Sequence, residues 1–264
     1  GSEMCIRDSA RDRNGMSQWV DGTVISIRQW TDRLYSLQVE ADIPPFKAGQ
    51  FTRVALDIDG ERVARPYSFV NAPDNPLLEF YFITVPDGPL TRELTRLAPG
   101  DTVYVSPRGA GFLVLSELPD ADCLWLLSTG TAIGPFLSIL GDSEVWERYR
   151  NVVLVHSVRT REELTYRDTI EQLLGQHAGQ LAYIPFVSRE DTDIGINARV
   201  PAAIEDGRLE AQAGQSLTAE SSQVMICGNP AMVRDTQAVL ESRGLKKNRR
   251  REPGHITTEQ YWKD

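Results

Sequence analysis

The hydrophobic pattern of this chain changes period near residues 115 to 121, and that switch restricts the fold more than any single motif does. From Trp19 to about Leu115 the apolar positions alternate in short runs: WVDGTVISIRQW, RLYSLQVEA, QFTRVALDI, ERVARPYSFV, LEFYFITV and TVYVSP. Turn signals separate them, among them Asp59-Gly60, PDG at 86 to 88 and PGD at 99 to 101. Aspartate-glycine between two alternating runs marks a hairpin, and strands at such regular spacing predict an antiparallel barrel or sandwich. Only LTRELTRL, residues 90 to 97, reads as a short helix there.

Beyond Leu118 the runs become continuous. CLWLLS (123 to 128), VVLVHSV (152 to 158), LAYIPFV (181 to 187) and QVMICG (223 to 228) have the composition of strands buried on both faces. Helical patterns at 133 to 140, 161 to 174 and 230 to 243 lie between or after them, which predicts a doubly wound parallel sheet. The expected fold is therefore an N-terminal antiparallel β-barrel over 16 to 117 and a C-terminal α/β domain over 118 to 264. Residues 1 to 15, GSEMCIRDSARDRNG, are polar and aperiodic and open on a tag-like Gly-Ser, so Met16 is the expected native start.

The 264 residues, 41% of them hydrophobic, suffice for two cores. No run approaches the roughly 18 apolar residues of a membrane span and no signal peptide opens the chain, so a soluble cytoplasmic protein is expected. Cys5, Cys123 and Cys227 are too few and too scattered for a metal site or an iron–sulfur cluster, and redox chemistry must then come from an organic cofactor. A net charge of −9 argues against nucleic-acid partners.

In a doubly wound domain the ligand lies at the carboxyl ends of the strands. STGTAIGPF, residues 128 to 136, follows the first parallel strand with glycines that allow close backbone approach; it reads equally as a tight strand-to-helix turn without a ligand. CGNP, 227 to 230, ends the last predicted strand and is either a ligand-side turn or a well-capped helix start. Arg159, Arg189 and Arg199 follow later strands and suit a phosphate such as a ribose 2′-phosphate, or are solvated surface arginines. ARPYSFV, 64 to 70, sets Arg65, Tyr67 and Ser68 in one strand. A regular pleat sends Arg65 and Tyr67 to one face and Ser68 to the other; a kink at Pro66 could turn all three toward one ligand, and an edge strand with an incidental arginine fits the spacing too.

These residues, with WVDGTVISIRQWTDRLYSLQVEA, FKAGQFTRVALDIDGERVARPYSFVNAPDNPLLEFYFITVPDGPLT, STGTAIGPFLSIL, VMICGNPAMVRDTQ and the ending RRREPGHITTEQYW, resemble bacterial ferredoxin (flavodoxin)–NADP⁺ reductases from Met16 onward. The resemblance implies an FAD-binding barrel and an NADP-binding α/β domain, with electrons exchanged between NADPH as hydride and ferredoxin or flavodoxin in single steps. By position, Arg65 would bind FAD phosphate, Tyr67 would pack on the isoalloxazine beside Pro66, and Ser68 would lie near its N5. Tyr81, Phe82, Ile83 and Thr84, then Pro89, Leu90 and Thr91, match further FAD-contacting segments, and Thr131 matches a flavin-side threonine. Cys227 and Gly228 fall at the nicotinamide position, with Ser68 and Cys227 in positioning roles and no general base assigned. Arg159, Ser188, Arg189, Arg199 and Asp235 match NADP-side residues.

Lys246, Lys247, Arg249, Arg250 and Arg251 form a basic run that is either a solvated helix end or loop or, as the resemblance implies, the dock of an acidic ferredoxin or flavodoxin. Tyr261 and Trp262 resemble a terminal aromatic pair that packs on FAD, although Lys263 and Asp264 extend this chain beyond it. Two rivals stay open: the reductase component of an oxygenase, without a fused iron–sulfur domain, and a nucleotide-binding regulatory subunit. No interface-sized apolar motif stands out, so a monomer is expected.

Overall fold

The computed structural model describes residues 18–262, so the proposed extension and the last two residues lie outside it. Strands β1 (Val20–Gln29), β2 (Leu34–Glu40), β3 (Phe51–Ile58), β4 (Glu61–Ser68), β5 (Leu77–Ile83) and β6 (Thr102–Val105) form one antiparallel sheet in the order β4-β3-β6-β1-β2-β5, with helix α1 (Pro89–Leu94) between β5 and β6. Alternate residues of these strands, among them Leu37, Val39, Val54, Phe80 and Val103, fill the barrel interior. The sheet curls until its two edges, β4 and β5, meet through a bridge between Phe69 and Phe80 and the Val70 amide bonded to the Glu79 carbonyl. Above that junction the edges diverge and leave a groove.

The β3–β4 register runs without a shift from Ile58–Glu61 to Phe51–Ser68, so Pro66 makes no kink. Its tolerance has a simple cause. Pro66 faces Arg53, whose carbonyl is taken by the Ser106 amide on the opposite side, so the Arg53–Pro66 pair is a non-hydrogen-bonded one. The Pro66 nitrogen therefore points to the open edge, where no ladder donor is required.

The second sheet holds β7 (Cys123–Thr129), β8 (Asn151–Val158), β9 (Leu181–Val187), β10 (Ser222–Gly228) and β11 (Ile256–Gln260), all parallel, in the order β11-β10-β7-β8-β9. Helices α2 (Ile133–Leu140), α3 (Glu144–Arg148), α4 (Arg167–Gln176), α5 (Val200–Glu205), α6 (Arg208–Ala213) and α7 (Pro230–Ser242) connect them. Three expectations are corrected. The helix expected over 161 to 174 is a short 3-10 turn at Arg161–Glu163 and then α4, interrupted at Tyr166, which adopts a left-handed φ of 58°. The last strand is β11 rather than β10. The helices α3, α5 and α6, of five or six residues each, were not anticipated. No helix among the described residues is long and apolar enough to cross a membrane.

Each sheet has a core of its own, and a third cluster joins them. Leu34, Ala48, Val70 and Tyr81 of the barrel pack in the same cluster as Leu124, Leu126, Phe136 and Leu154 of the α/β unit. Gly134 lets α2 approach the barrel: a Cβ there would lie 3.3 Å from a Val70 methyl. Ser138 of α2 donates to the Asn71 carbonyl at 2.7 Å, fixing the same contact. On the other side Tyr166 reaches the barrel, its hydroxyl 2.5 Å from Ser36 Oγ and donating to Glu79 Oε2 at 2.7 Å, while Gln38 donates to Glu79 Oε1. This buried network explains the left-handed backbone at Tyr166, which turns the ring onto β2 and β5. Tyr166→Phe removes the hydroxyl and leaves Ser36 and Glu79 under-satisfied. We expect a loss of about 1–3 kcal/mol, read as a fall of several degrees in the thermal midpoint; an unchanged midpoint would show the network to be energetically idle.

Candidate functional site

The groove between β4 and β5 continues into a cleft bordered by the α/β unit and the C-terminal aromatics. β4 contributes Arg65, Pro66, Tyr67 and Ser68; β5 contributes Tyr81, Phe82 and Ile83. Val85 comes from the turn into α1, Thr91 from the first turn of α1, Thr131 from the turn after β7, and Tyr261 and Trp262 follow β11. Arg65 is the one charged side chain among the described residues that line the cleft. The register is regular, so Arg65 and Tyr67 lie on one face of β4 and Ser68 on the other, and they reach the cleft together at the strand's open edge without a kink.

Local contacts hold these groups in place. Tyr67 sets its ring edge-on to Phe82, centroids 6.0 Å apart. Thr91 Oγ1 accepts from the Val85 amide at 3.1 Å and ties the β5–α1 turn to the helix start. Tyr81 places its hydroxyl 2.7 Å from Thr165 Oγ1, across to the α/β unit, and burial pushes its pKa up. Leu90 is wholly buried in the barrel core, so its side chain supports α1 from beneath and does not face the cleft. Thr84 donates its amide to the Arg33 carbonyl, and Thr84 and Pro89 flank the lining residues without being among them.

At the floor the ends of β10 and β11 meet the barrel. Gly228, at φ 131°, must be glycine: a Cβ there would sit 2.1 Å from Thr129 Oγ1, which already accepts from the Asn229 amide at 2.9 Å. Asn229 in turn caps α7 by accepting from the Met232 amide. The Gly228 carbonyl accepts from the Tyr261 amide at 3.1 Å, and this anchor delivers the tyrosine ring to the cleft, where its hydroxyl donates to Ser68 Oγ at 3.0 Å. Cys227 is fully buried next to Tyr261, and its thiol is pushed well up by burial and by the neighbouring Glu259.

Glu259 was not singled out from the sequence. The parallel register sets it beside Cys227, its Oε2 is enclosed without a hydrogen-bond partner among the described residues, and burial raises its pKa to about 7. The residue as a whole is partly exposed but its Oε2 is buried, and Oε1 lies close enough to Gly111 that a Cβ there would come within 3.0 Å of it. The only sequence signal was its place two residues before Tyr261.

Arg159 and Arg189 follow adjacent strands, and the Arg189 amide donates to the Arg159 carbonyl at 2.9 Å, so the two loops run side by side at the carboxyl edge. Ser188 belongs to the same pair of loops, bonded to the Val158 carbonyl. Arg199 immediately precedes α5 and pairs with Asp235 of α7 at 3.4 Å, on the exposed face. The basic run is a tight turn bridged at Arg249 and Glu252, in which Arg250 is paired to Glu117 at 3.0 Å and lies 4.4 Å over the exposed ring of Phe112.

Comparison with known proteins agrees with this architecture. The oxidoreductase FAD-binding domain family matches residues 27–111, and the oxidoreductase NAD-binding domain family matches 126–238. The chain is 51% identical to the flavodoxin/ferredoxin–NADP reductases of Escherichia coli (strain K12) and of Shigella flexneri, over 94% of its own length and all of theirs. It superimposes with a TM-score of 0.89 on a ferredoxin NADP⁺ reductase from Neisseria gonorrhoeae with bound FAD and NADP, at 31% identity, covering 94% of this chain and all of that one. The chain belongs to the flavodoxin/ferredoxin–NADP reductase family.

Proposed function

We propose that this chain is an FAD-dependent reductase that exchanges electrons between NADPH and a ferredoxin or flavodoxin, with an FAD-binding unit over 16–117 and an NADP-binding unit over 118–264. One observation carries the reading: a single cleft gathers Arg65, Tyr67 and Ser68 from the open barrel edge and joins them, through Tyr261, to Cys227 at the carboxyl end of the parallel sheet. The residues present fit FAD. The aromatic and aliphatic lining matches a flat heteroaromatic ring, and the one guanidinium matches a phosphate. When bound, FAD supplies the conversion between two-electron exchange with a nicotinamide and one-electron exchange with a protein.

The protein's own part is alignment. Arg65 holds a phosphate, Tyr67 and Phe82 set the plane of a ring, and Ser68 presents its hydroxyl at the edge of that plane. Tyr261 stands between Ser68 and Cys227, so a nicotinamide must displace it to reach either. Burial keeps the Cys227 thiol protonated, which makes it a packing and positioning group and not a nucleophile. Glu259 holds its proton up to about neutral pH at the floor of the cleft. Arg159 and Arg189, with Ser188, take a ribose 2′-phosphate, and Arg199 joins them once Asp235 yields it. The basic turn at 246 to 251 and the ring of Phe112 receive an acidic partner, and the enzyme acts as a cytoplasmic monomer.

The purified protein should be yellow and bleach quickly with NADPH under anaerobic conditions and slowly with NADH; a colourless protein that takes up no FAD would defeat the reading. Arg65→Ala should weaken FAD binding by about tenfold or more and leave the thermal midpoint of the apoprotein within about 2 °C; equal FAD affinity in variant and parent would remove Arg65 from the phosphate site. Replacing Arg249, Arg250 and Arg251 by glutamine should slow reduction of ferredoxin or flavodoxin roughly fivefold at low salt while NADPH oxidation by ferricyanide is unchanged, whereas equal losses would refute the docking role. Glu259 has a raised pKa in the folded state, so it favours folding at low pH and the advantage is lost as pH rises from about 4.5 through about 7. Glu259→Gln should therefore gain roughly 2–3 kcal/mol on the parent apoprotein between pH 5 and pH 8, measured by urea unfolding; a pH-independent difference would show the carboxyl to be ionised throughout.

A further inference from the structure

Among the described residues, Arg199 is the one of the three carboxyl-edge arginines whose guanidinium is paired with a carboxylate. Its place follows from the loop after β9. The chain leaves the sheet at Ser188 and returns where the Val187 amide donates to the Ile196 carbonyl and the Ile196 amide to the Pro185 carbonyl. Asn197 Nδ2 donates to the Glu190 carbonyl, and Glu190 Oε2 accepts from the Arg161 amide at 2.8 Å, which ties this loop to the one that carries Arg159. Arg199 is the last extended residue before α5.

Asp235 comes from the other side. Asn229 and Pro230 start α7 at the end of β10, and Met232, Val233, Thr236 and Leu240 bury its inner stripe, which leaves Asp235 exposed at the stripe's border. Its Oδ2 lies 3.4 Å from Arg199 Nη2, a single contact between side chains that are 52% and 61% exposed. Exposed pairs of this kind add little to stability, so a charged ligand displaces the carboxylate at small cost.

The two forms of the adenine ribose meet this pair differently. A 2′-phosphate carries a charge of about −1.5 to −2 at neutral pH. To use Arg199 it must displace the Asp235 carboxylate and then stand beside it, and like charges a few ångströms apart repel. A 2′-hydroxyl has neither cost. It is neutral, and it donates to a carboxylate, the contact by which doubly wound domains hold the ribose of NAD.

We propose that Asp235 is a specificity-determining residue that competes with the ribose 2′-phosphate for Arg199, lowering affinity for NADP(H) and narrowing the preference over NAD(H). The inference rests on the reading of Arg199 as part of the 2′-phosphate site. A carboxylate that retakes Arg199 as the phosphate departs also favours release of the spent nucleotide, a step that limits turnover in many enzymes.

The holoenzymes D235N, D235E, R199A and the double variant R199A/D235N would be compared in NADPH oxidation by ferricyanide. Adenosine 2′,5′-bisphosphate, which carries the 2′-phosphate and no nicotinamide, serves as the competitive inhibitor. D235N should lower its inhibition constant about three- to fivefold at low salt, and by less at about 0.5 M salt, where the charges are screened. The kcat/KM for NADPH should rise through KM while that for NADH stays level or falls, so the preference for NADPH widens about fivefold. D235E, which keeps the carboxylate, should stay within about twofold of the parent. R199A should weaken the inhibitor, and in that background the D235N gain should shrink below about twofold, because the two side chains act through each other. An unchanged inhibition constant in D235N would overturn the proposal, as would a gain that persists undiminished without Arg199 or an equal gain for NADH. Parental inhibition in R199A would remove Arg199 from the 2′-phosphate site and the proposal with it, whereas a weakened R199A beside an unchanged D235N would defeat the proposal alone.

Discussion

An antiparallel sheet that curls without closing leaves two edges, and everything else at this site depends on how those edges are used. β4 and β5 come together at Phe69 and Phe80 and then part, so the strand edge that normally invites aggregation becomes a binding groove. The parallel sheet covers the open part of it. The shared core around Val70, Tyr81 and Phe136 keeps the carboxyl ends of β7 and β10 against that groove, so the cleft is a property of the interface and belongs to neither unit alone.

Much of this was legible from the chain because periodicity reports burial. The continuous runs of β7, β8 and β10 are fully or almost fully buried, and the alternating runs of the barrel strands are half-buried, as their sequences require. The intrusive residues of ARPYSFV were visible for the same reason, since a polar residue in an apolar run needs an explanation. The physical account of Pro66 was not available, because which backbone groups face the open edge depends on the register with Arg53 and on the pairing of Arg53 with Ser106.

The parts that escaped have local sequences that do not announce their environment. ITTEQ lacks the continuous apolar run of the other parallel strands, yet as β11 it buries Ile256 and Thr257 on the flank of β10. Tyr166 ends one helical turn and begins another without a glycine, proline or asparagine to mark the break; its conformation is imposed by Ser36 and Glu79, residues distant in sequence. Glu259 reads as an ordinary exposed acid, yet its Oε2 is buried and Gly111 lies close to its Oε1. In each case tertiary contact, and not local propensity, decides the outcome.

The distribution of charge follows from the same burial. At the floor of the cleft Cys227, Tyr261 and Ser68 are neutral, and desolvation presses Glu259 toward neutrality near pH 7. Behind it His156 is neutral for the same reason. The cations stand at the periphery, with Arg65 along the barrel edge, Arg159 and Arg189 after the strands of the second sheet, and Arg250 over Phe112. In a chain of net charge −9 these arginines are local positive groups outside the neutral floor of the cleft. Burial disfavours the charged form of each of the groups at that floor, and Glu259, with a pKa raised to about 7, is the one among them that titrates near neutrality.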